Sequence, residues 1–207
     1  MKNKNYWSWI LLLEIFFLIF LTSFFPESWQ PFLFPLLYSA LYLTSVGGLE
    51  KNNQTMLWVA ISLLIAQGTF KLFNMPIIEV VSKILNFVFF SFIVFSLIRQ
   101  ISTAKEVTKR VILEAINGYL MLGLVFTFLI GLMIQFDPMS FSFAHTGTSL
   151  HDSMYFGFVT FATLGYGDLL PIKPYAKSLS ILIAVCGQLY VAVIIALLVG
   201  KFSSQSR

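Results

Sequence analysis

Long apolar runs constrain this chain more than anything else in it. Apolar stretches near residues 7–25, 31–48, 55–73, 77–98, 111–135 and 176–201 each approach the about 20 residues that a helix needs to cross a bilayer. Across the 207 residues, 58% are hydrophobic and 11% charged, against about 25% charged in soluble domains. Backbone polar groups find no water in lipid, so such runs must satisfy them internally, and helices do this. The expected fold is an all-α membrane protein with six transmembrane helices. A seventh apolar stretch, Ser149 to Ala162, is too short to cross and is expected to be a re-entrant helix.

Lysines and arginines set the expected orientation. Lys2, Lys4, Lys51, Arg99, Lys105, Lys109, Arg110, Lys201 and Arg207 fall on one side, while Lys173 and Lys177 fall on the other, with Lys71 at a helix end. Both termini are therefore expected in the cytoplasm of a multi-pass cell-membrane protein. The net charge of +4 follows from this asymmetry, and no nucleic-acid partner is expected. The first run lacks a small-x-small cleavage site, so it reads as a retained helix. Cys186 is the one cysteine and reads as a small packed residue.

The short apolar stretch runs into Thr163-Leu164-Gly165-Tyr166-Gly167-Asp168. A dehydrated cation needs oxygens in place of its lost waters. Glycines at 165 and 167 can take the positive φ that aims neighbouring carbonyls one way. Thr163 adds a hydroxyl, and Tyr166 has the bulk to wedge the strand against its surroundings. The string resembles the selectivity filter of potassium channels, with K+ at Thr163, Leu164, Gly165 and Tyr166 and the ion path ending at Gly167. The resemblance covers roughly the last third of the chain. It implies a homotetramer, since one strand supplies a quarter of a pore, and K+ as permeant ion with no cofactor.

Several further positions follow from that resemblance. Tyr155, 13 residues before Asp168, stands where many of these channels place a tryptophan that contacts the aspartate, and its hydroxyl could make a similar bond. Val159 stands where some members carry a glutamate, and Ala162 where a threonine is common; both departures leave the carbonyl sites intact. Asp168 would either cap a turn or join a ring of carboxylates at the outer mouth. Gly187, 20 residues after Gly167, matches a proposed hinge glycine, although glycine also permits close helix packing. Ala184, Gln188, Val191, Ile195 and Val199 recur at helical spacing and are candidates to line the cavity and gate.

The first four runs resemble a voltage-sensing unit without its charges. The fourth offers Lys83 and then no basic residue until Arg99, so steep voltage gating is not expected. Glu14, Gln67, Lys83 and Asn86 are expected to form a polar cluster, with Glu79 and Lys83 paired at i,i+4. The expected domains are residues 1–98 (four helices), 99–110 (a basic, interfacial linker helix that could attract anionic lipid) and 111–207 (the pore). Thr148, Ser149 or Asp152 is expected to cap the pore helix. His145 and His151 read as solvated loop residues. The few residues after the last run leave no expectation of an appended ligand-binding domain. No metal-ligand cluster or nucleophile constellation is seen, so catalysis is not expected. The alternatives are a non-conducting subunit that scaffolds other channel chains and an energised transporter.

Overall fold

The computed structural model describes residues 4–49, 53–72, 76–104, 106–142 and 150–205. The expected positions Lys2, Lys51, Lys105, His145, Thr148, Ser149 and Arg207 lie outside the described residues, as do the side chains of Gln67, Lys71 and Glu79. Among the described residues the fold is all helical, with one isolated antiparallel bridge between Phe141 and Pro171. The elements are α1 (Lys4–Phe16), α2 (Gln30–Gly48), α3 (Asn53–Leu72), α4 (Pro76–Thr103), α5 (Lys109–Phe136), α6 (Leu150–Phe161) and α7 (Pro174–Gln205). Among the described residues, four helical stretches, Tyr6–Phe24, Val80–Thr103, Lys109–Phe136 and Pro174–Ser203, are long and apolar enough to cross a membrane; α2 and α3 hold shorter apolar stretches, Phe32–Gly48 and Gln54–Ala66. This is a membrane protein.

The chain divides into two compact units, Met1–Gly118 and Tyr119–Arg207. In the first, α1 runs on through a π-type turn, Phe17–Leu21, and a 3-10 turn, Thr22–Phe24. The Thr22 hydroxyl donates to the Leu18 carbonyl at 2.6 Å. Helix α2 begins with a proline in its first turn and contains Pro35, whose carbonyl accepts from Ser39 Oγ at 2.7 Å. The core of this unit includes Ile15, Leu18, Leu41, Val46, Ile93 and Ile101, all essentially inaccessible.

The expected linker helix is not observed. Residues 99–103 complete α4, Ala104 and Glu106–Thr108 leave helical geometry, and α5 starts at Lys109. Local hydroxyls explain the break. Ser102 and Thr103 donate back to the Arg99 carbonyl at 2.8 and 2.9 Å, and the Ala104 amide closes onto Ile101 O at 3.3 Å, so helical propagation stops. Thr108 then opens α5 as an N-cap, its Oγ1 accepting from the Val111 amide at 3.4 Å. Buried Glu114 joins the two helices: Arg110 Nε donates to it at 2.6 Å, and Gln100 Nε2 lies 3.2 and 3.3 Å from its two oxygens.

The expected polar cluster is arranged differently. Glu14 is engaged by Thr44 of α2, whose hydroxyl oxygen lies 2.5 Å from Oε2. Asn86 donates to the Ser82 carbonyl at 2.8 Å, and its own carbonyl accepts from Tyr42 Oη at 2.7 Å. The Glu14 carboxyl and the Asn86 backbone carbonyl are thus met by hydroxyls of α2, which sequence reasoning did not weigh, while the Asn86 side chain bonds within its own helix.

The second unit is built on aromatic packing. Phe126, Ile130, Ile134, Phe141, Phe156, Phe161, Ala176, Leu179 and Ile183 form one buried cluster from α5, α6, α7 and the segment after α5. On α7 the buried positions Ala176, Leu179, Ile183, Gly187, Tyr190 and Ile194 recur at three- and four-residue spacing, which makes one stripe of the helix.

Candidate ion-conduction site

Helix α6 occupies the expected pore-helix position to within a residue at either end. Asp152 falls in its first turn, where a negative charge complements the helix dipole. Gly157 lets α6 approach α5 closely: a Cβ there would lie 3.1 Å from Thr127 Oγ1 and 3.3 Å from Ile130 Cδ1. Phe158 lies over Gly123, where a Cβ would come within 2.4 Å of its ring. Phe161 at the C-terminal end packs on Tyr119 and Phe126, with ring centroids 4.7 and 5.7 Å away.

The C-terminus of α6 flows directly into the glycine-rich string. The Leu164 amide donates to Val159 O at 2.9 Å and the Thr163 amide to Thr160 O at 3.0 Å. These are the paired bonds of a Schellman motif, which places the C′ residue in the left-handed region. That residue is Thr163, with φ +60°. Glycine or asparagine is usual there, so sequence reasoning, which gave Thr163 only a hydroxyl role, missed its backbone.

Gly165 and Gly167 follow with φ +55° and +80°, and Leu164 and Tyr166 between them stay negative. In an extended strand successive carbonyls point to opposite sides. Alternating the sign of φ undoes that alternation and turns them toward a common side. A Cβ on Gly165 or Gly167 meets no atom of this chain within 4 Å, so backbone conformation alone demands glycine. Tyr166 does not wedge against its own chain: it is 67% exposed and Leu164 58%.

At the C-terminal end of the string, Tyr155 Oη donates to Asp168 Oδ2 at 2.7 Å, the bond the 13-residue spacing suggested. This hydrogen bond holds the Asp168 carboxyl below its ordinary value of 3.8 and raises the Tyr155 phenol. A carboxyl with a lowered pKa supports the structure above its ordinary range, and that support is lost as pH falls through the lowered value. Acidification into the strongly acidic range is therefore expected to disorder the loop at Asp168. Tyr155→Phe should shift that acid transition to higher pH, which a pH titration of Tyr166 fluorescence or of ion flux can measure.

A clasp that sequence reasoning did not anticipate secures the segment after Asp168. Ser142 and Leu170 bond reciprocally, amide to carbonyl at 2.9 Å and amide to Ser142 Oγ at 2.9 Å. The Ser140 carbonyl accepts from the Ile172 and Lys173 amides at 2.8 and 3.3 Å. Tyr175 donates to Asp137 beside it. Phe141, fully buried at the centre of the clasp, meets Phe156 of α6 edge-on with centroids 5.1 Å apart. No periodicity marks a two-residue bridge, so no sequence signal announced it.

On α7, Gly187 serves packing. A Cβ there would sit 2.0 Å from the Phe161 carbonyl oxygen at the end of α6. Gln188 is exposed, and its Nε2 donates to Thr163 Oγ1 at 3.1 Å, tying α7 to the first residue of the string. Val191, Ile195 and Val199 are exposed, at 41, 56 and 62%. His151, expected as a solvated loop residue, instead lies in the first turn of α6 and is partly buried, and that burial lowers its pKa while Asp152 opposes the shift.

A short helix leads directly into a string of turned carbonyls within a helical membrane protein, an arrangement suited to coordinating a partly dehydrated cation. Residues 118–204 match the family described as "Ion channel", so the match extends back into α5, beyond the last third. A 55-residue stretch is 44% identical to the inward rectifier potassium channel Kirbac3.1 of Paramagnetospirillum magnetotacticum, spanning 27% of this chain and 19% of that protein. Together with the Thr163–Asp168 string, these matches make the C-terminal unit similar to ion-channel proteins, and the chain spans about a fifth of the length of the curated relative it matches. No solved structure matches the chain significantly.

Proposed function

We propose that four copies of this chain assemble around one axis and conduct potassium ions passively and selectively through Thr163, Leu164, Gly165, Tyr166 and Gly167. The alternating φ signs at Thr163, Gly165 and Gly167 carry this reading, because they turn carbonyls to a common side where a partly dehydrated cation is coordinated. The exposure of Leu164, Tyr166 and the Gln188 face of α7 supports fourfold assembly, since neighbouring subunits would cover what one chain leaves bare. That the partial relative is a potassium channel supports potassium as the permeant ion. The distribution of basic residues supports cytoplasmic termini and an outer-mouth position for Asp168.

Helices α2 and α3, at 19 and 20 residues, reach about 30 Å at about 1.5 Å per residue, which supports six spans in all. Among the described side chains of α4, the basic ones are Lys83 and Arg99, so opening is not steeply voltage-dependent; each charge crossing the field gains about 2.3 kcal/mol per 100 mV. Arg99, Lys109 and Arg110 remain positioned to attract anionic lipid. Val191, Ile195 and Val199 line the lower cavity and narrow it.

Gln188 fixes the Thr163 hydroxyl at the innermost coordination site. Gln188→Leu removes one hydrogen bond, worth about 1 kcal/mol, and is expected to lower the potassium-over-sodium flux ratio by roughly five-fold without abolishing flux. The proposal is tested by reconstituting the purified chain alone in liposomes. Potassium flux with no energy input supports the channel. A well-folded tetramer that conducts only when another channel chain is added favours the non-conducting subunit instead.

A further inference from the structure

A groove of about 440 Å3 opens at the start of α2, lined by Ser28, Trp29, Phe32, Leu33 and Leu36. Its walls are bare: Trp29 is 59% exposed, Phe32 81% and Leu36 67%. Positions 29, 32, 33 and 36 share one helix face, so the groove runs along the helix axis with Ser28 at one end.

Local structure fixes the Trp29 wall. The π-type turn Phe17–Leu21 and the 3-10 turns Thr22–Phe24 and Glu27–Trp29 bring the chain round from α1; π-type turns recur at functional sites. The Trp29 amide donates to Pro26 O at 2.9 Å. Its ring stacks on Phe25 with centroids 6.3 Å apart, and Phe25 in turn meets Phe17 at 5.7 Å. The wall is therefore held before anything binds.

Apolar side chains this bare demand cover, and three observations select it. The apolar stretch Tyr6–Phe24 ends just before Ser28, and a tryptophan beside a serine suits the level where hydrocarbon meets headgroups. From Trp29 to Leu36 the groove runs about 10 Å at about 1.5 Å per residue, most of the about 15 Å hydrocarbon depth of one leaflet. The bare face then stops, since residues 37–48 of α2 are all buried or half-buried. A helix from a second copy would need a longer stripe, and a stable interface between copies buries about 1,200 Å2 or more. None of the lining residues is charged. We infer that this groove binds one acyl chain of a bilayer phospholipid, with the headgroup end beside Ser28 and Trp29, whose hydroxyl and indole N–H supply donors. The site rests on the reading of α2 as a span and is independent of ion conduction.

Photolabelling tests this on the full chain in bilayers doped with phosphatidylcholine that carries a diazirine on one acyl chain. Adducts are expected to concentrate several-fold on residues 28–36 relative to the α4 segment holding Phe92 and Phe95, whose 50 and 65% exposure makes them the measure of passing lipid contact. Phe32→Ser with Leu36→Ser removes two exposed walls without touching the core, and should lower labelling of 28–36 to the α4 level. Equal labelling of the two segments in the wild type, or enrichment that survives the double variant, overturns the proposal. A second readout uses Phe32→Cys in a Cys186→Ser background, where protection from a water-soluble maleimide is expected. Reaction with the maleimide would overturn the span and the site together. Protection with unenriched labelling would leave the span and overturn the site alone. A disulfide between chains at residue 32 would give the groove to a second copy and overturn the lipid. Conduction enters none of these readouts, so failure here is distinct from failure of the pore.

Discussion

Gly187→Ala is expected to prevent the C-terminal unit from packing, at a cost of at least about 3 kcal/mol. The added methyl would sit 2.0 Å from the Phe161 carbonyl oxygen. The obstacle is backbone, which cannot swing aside as a side-chain tip can. That carbonyl also belongs to the last turn of α6, two residues before Thr163, so relief by movement would displace the start of the Thr163–Asp168 string. Gly131→Ala on α5 is the matched control: its Cβ would meet nothing within 4 Å, and it should be neutral or stabilising by up to about 1 kcal/mol. Thermal melting in detergent, with tetramer yield by size-exclusion chromatography, reads both. A Gly187→Ala protein that assembles and melts normally but fails to open would instead assign the glycine to hinge bending.

Phe141→Ala is expected to cost about 3–5 kcal/mol and to free the loop that follows Asp168. The side chain is fully buried and meets Phe156, so its loss opens a cavity between the clasp and α6. Leu170, Ile172 and Lys173 are tied to Ser140 and Ser142 on either side of it. Hydrogen exchange at these three amides should rise together in the variant, whereas exchange in the core of α4 stays unchanged. Equal acceleration in α4 would show that the clasp is not a local device.

The sequence made some parts of this site legible for clear physical reasons. Glycine at 165 and 167 has little reason to recur except positive φ, and both residues take it. The interval from Tyr155 to Asp168 measures a short helix plus one extended strand, so their bond could be anticipated. Thr163 was opaque because a β-branched residue normally avoids the left-handed region, and only the Schellman closure of α6 accounts for it. Gly187 could be read as bend or contact until the Phe161 carbonyl was seen opposite it. Residues 99–110 carried the composition of a helix, but the Ser102 and Thr103 hydroxyls and the Thr108 cap divide it between α4 and α5. Glu14 signalled a buried partner, and a threonine 30 residues away supplied it.

The most direct test of the account is cation flux in proteoliposomes holding the purified wild-type chain or Gly165→Ala, with potassium and sodium gradients compared and barium added. A Cβ at φ +55° costs about 1–2 kcal/mol per subunit, and the strand would relieve this strain by turning the 165 peptide away from its neighbours. Barium-sensitive flux that strongly prefers potassium is expected in the wild type, with loss of that selective flux in Gly165→Ala. Equal potassium and sodium flux in the wild type, or selective flux that survives Gly165→Ala unchanged, would contradict it.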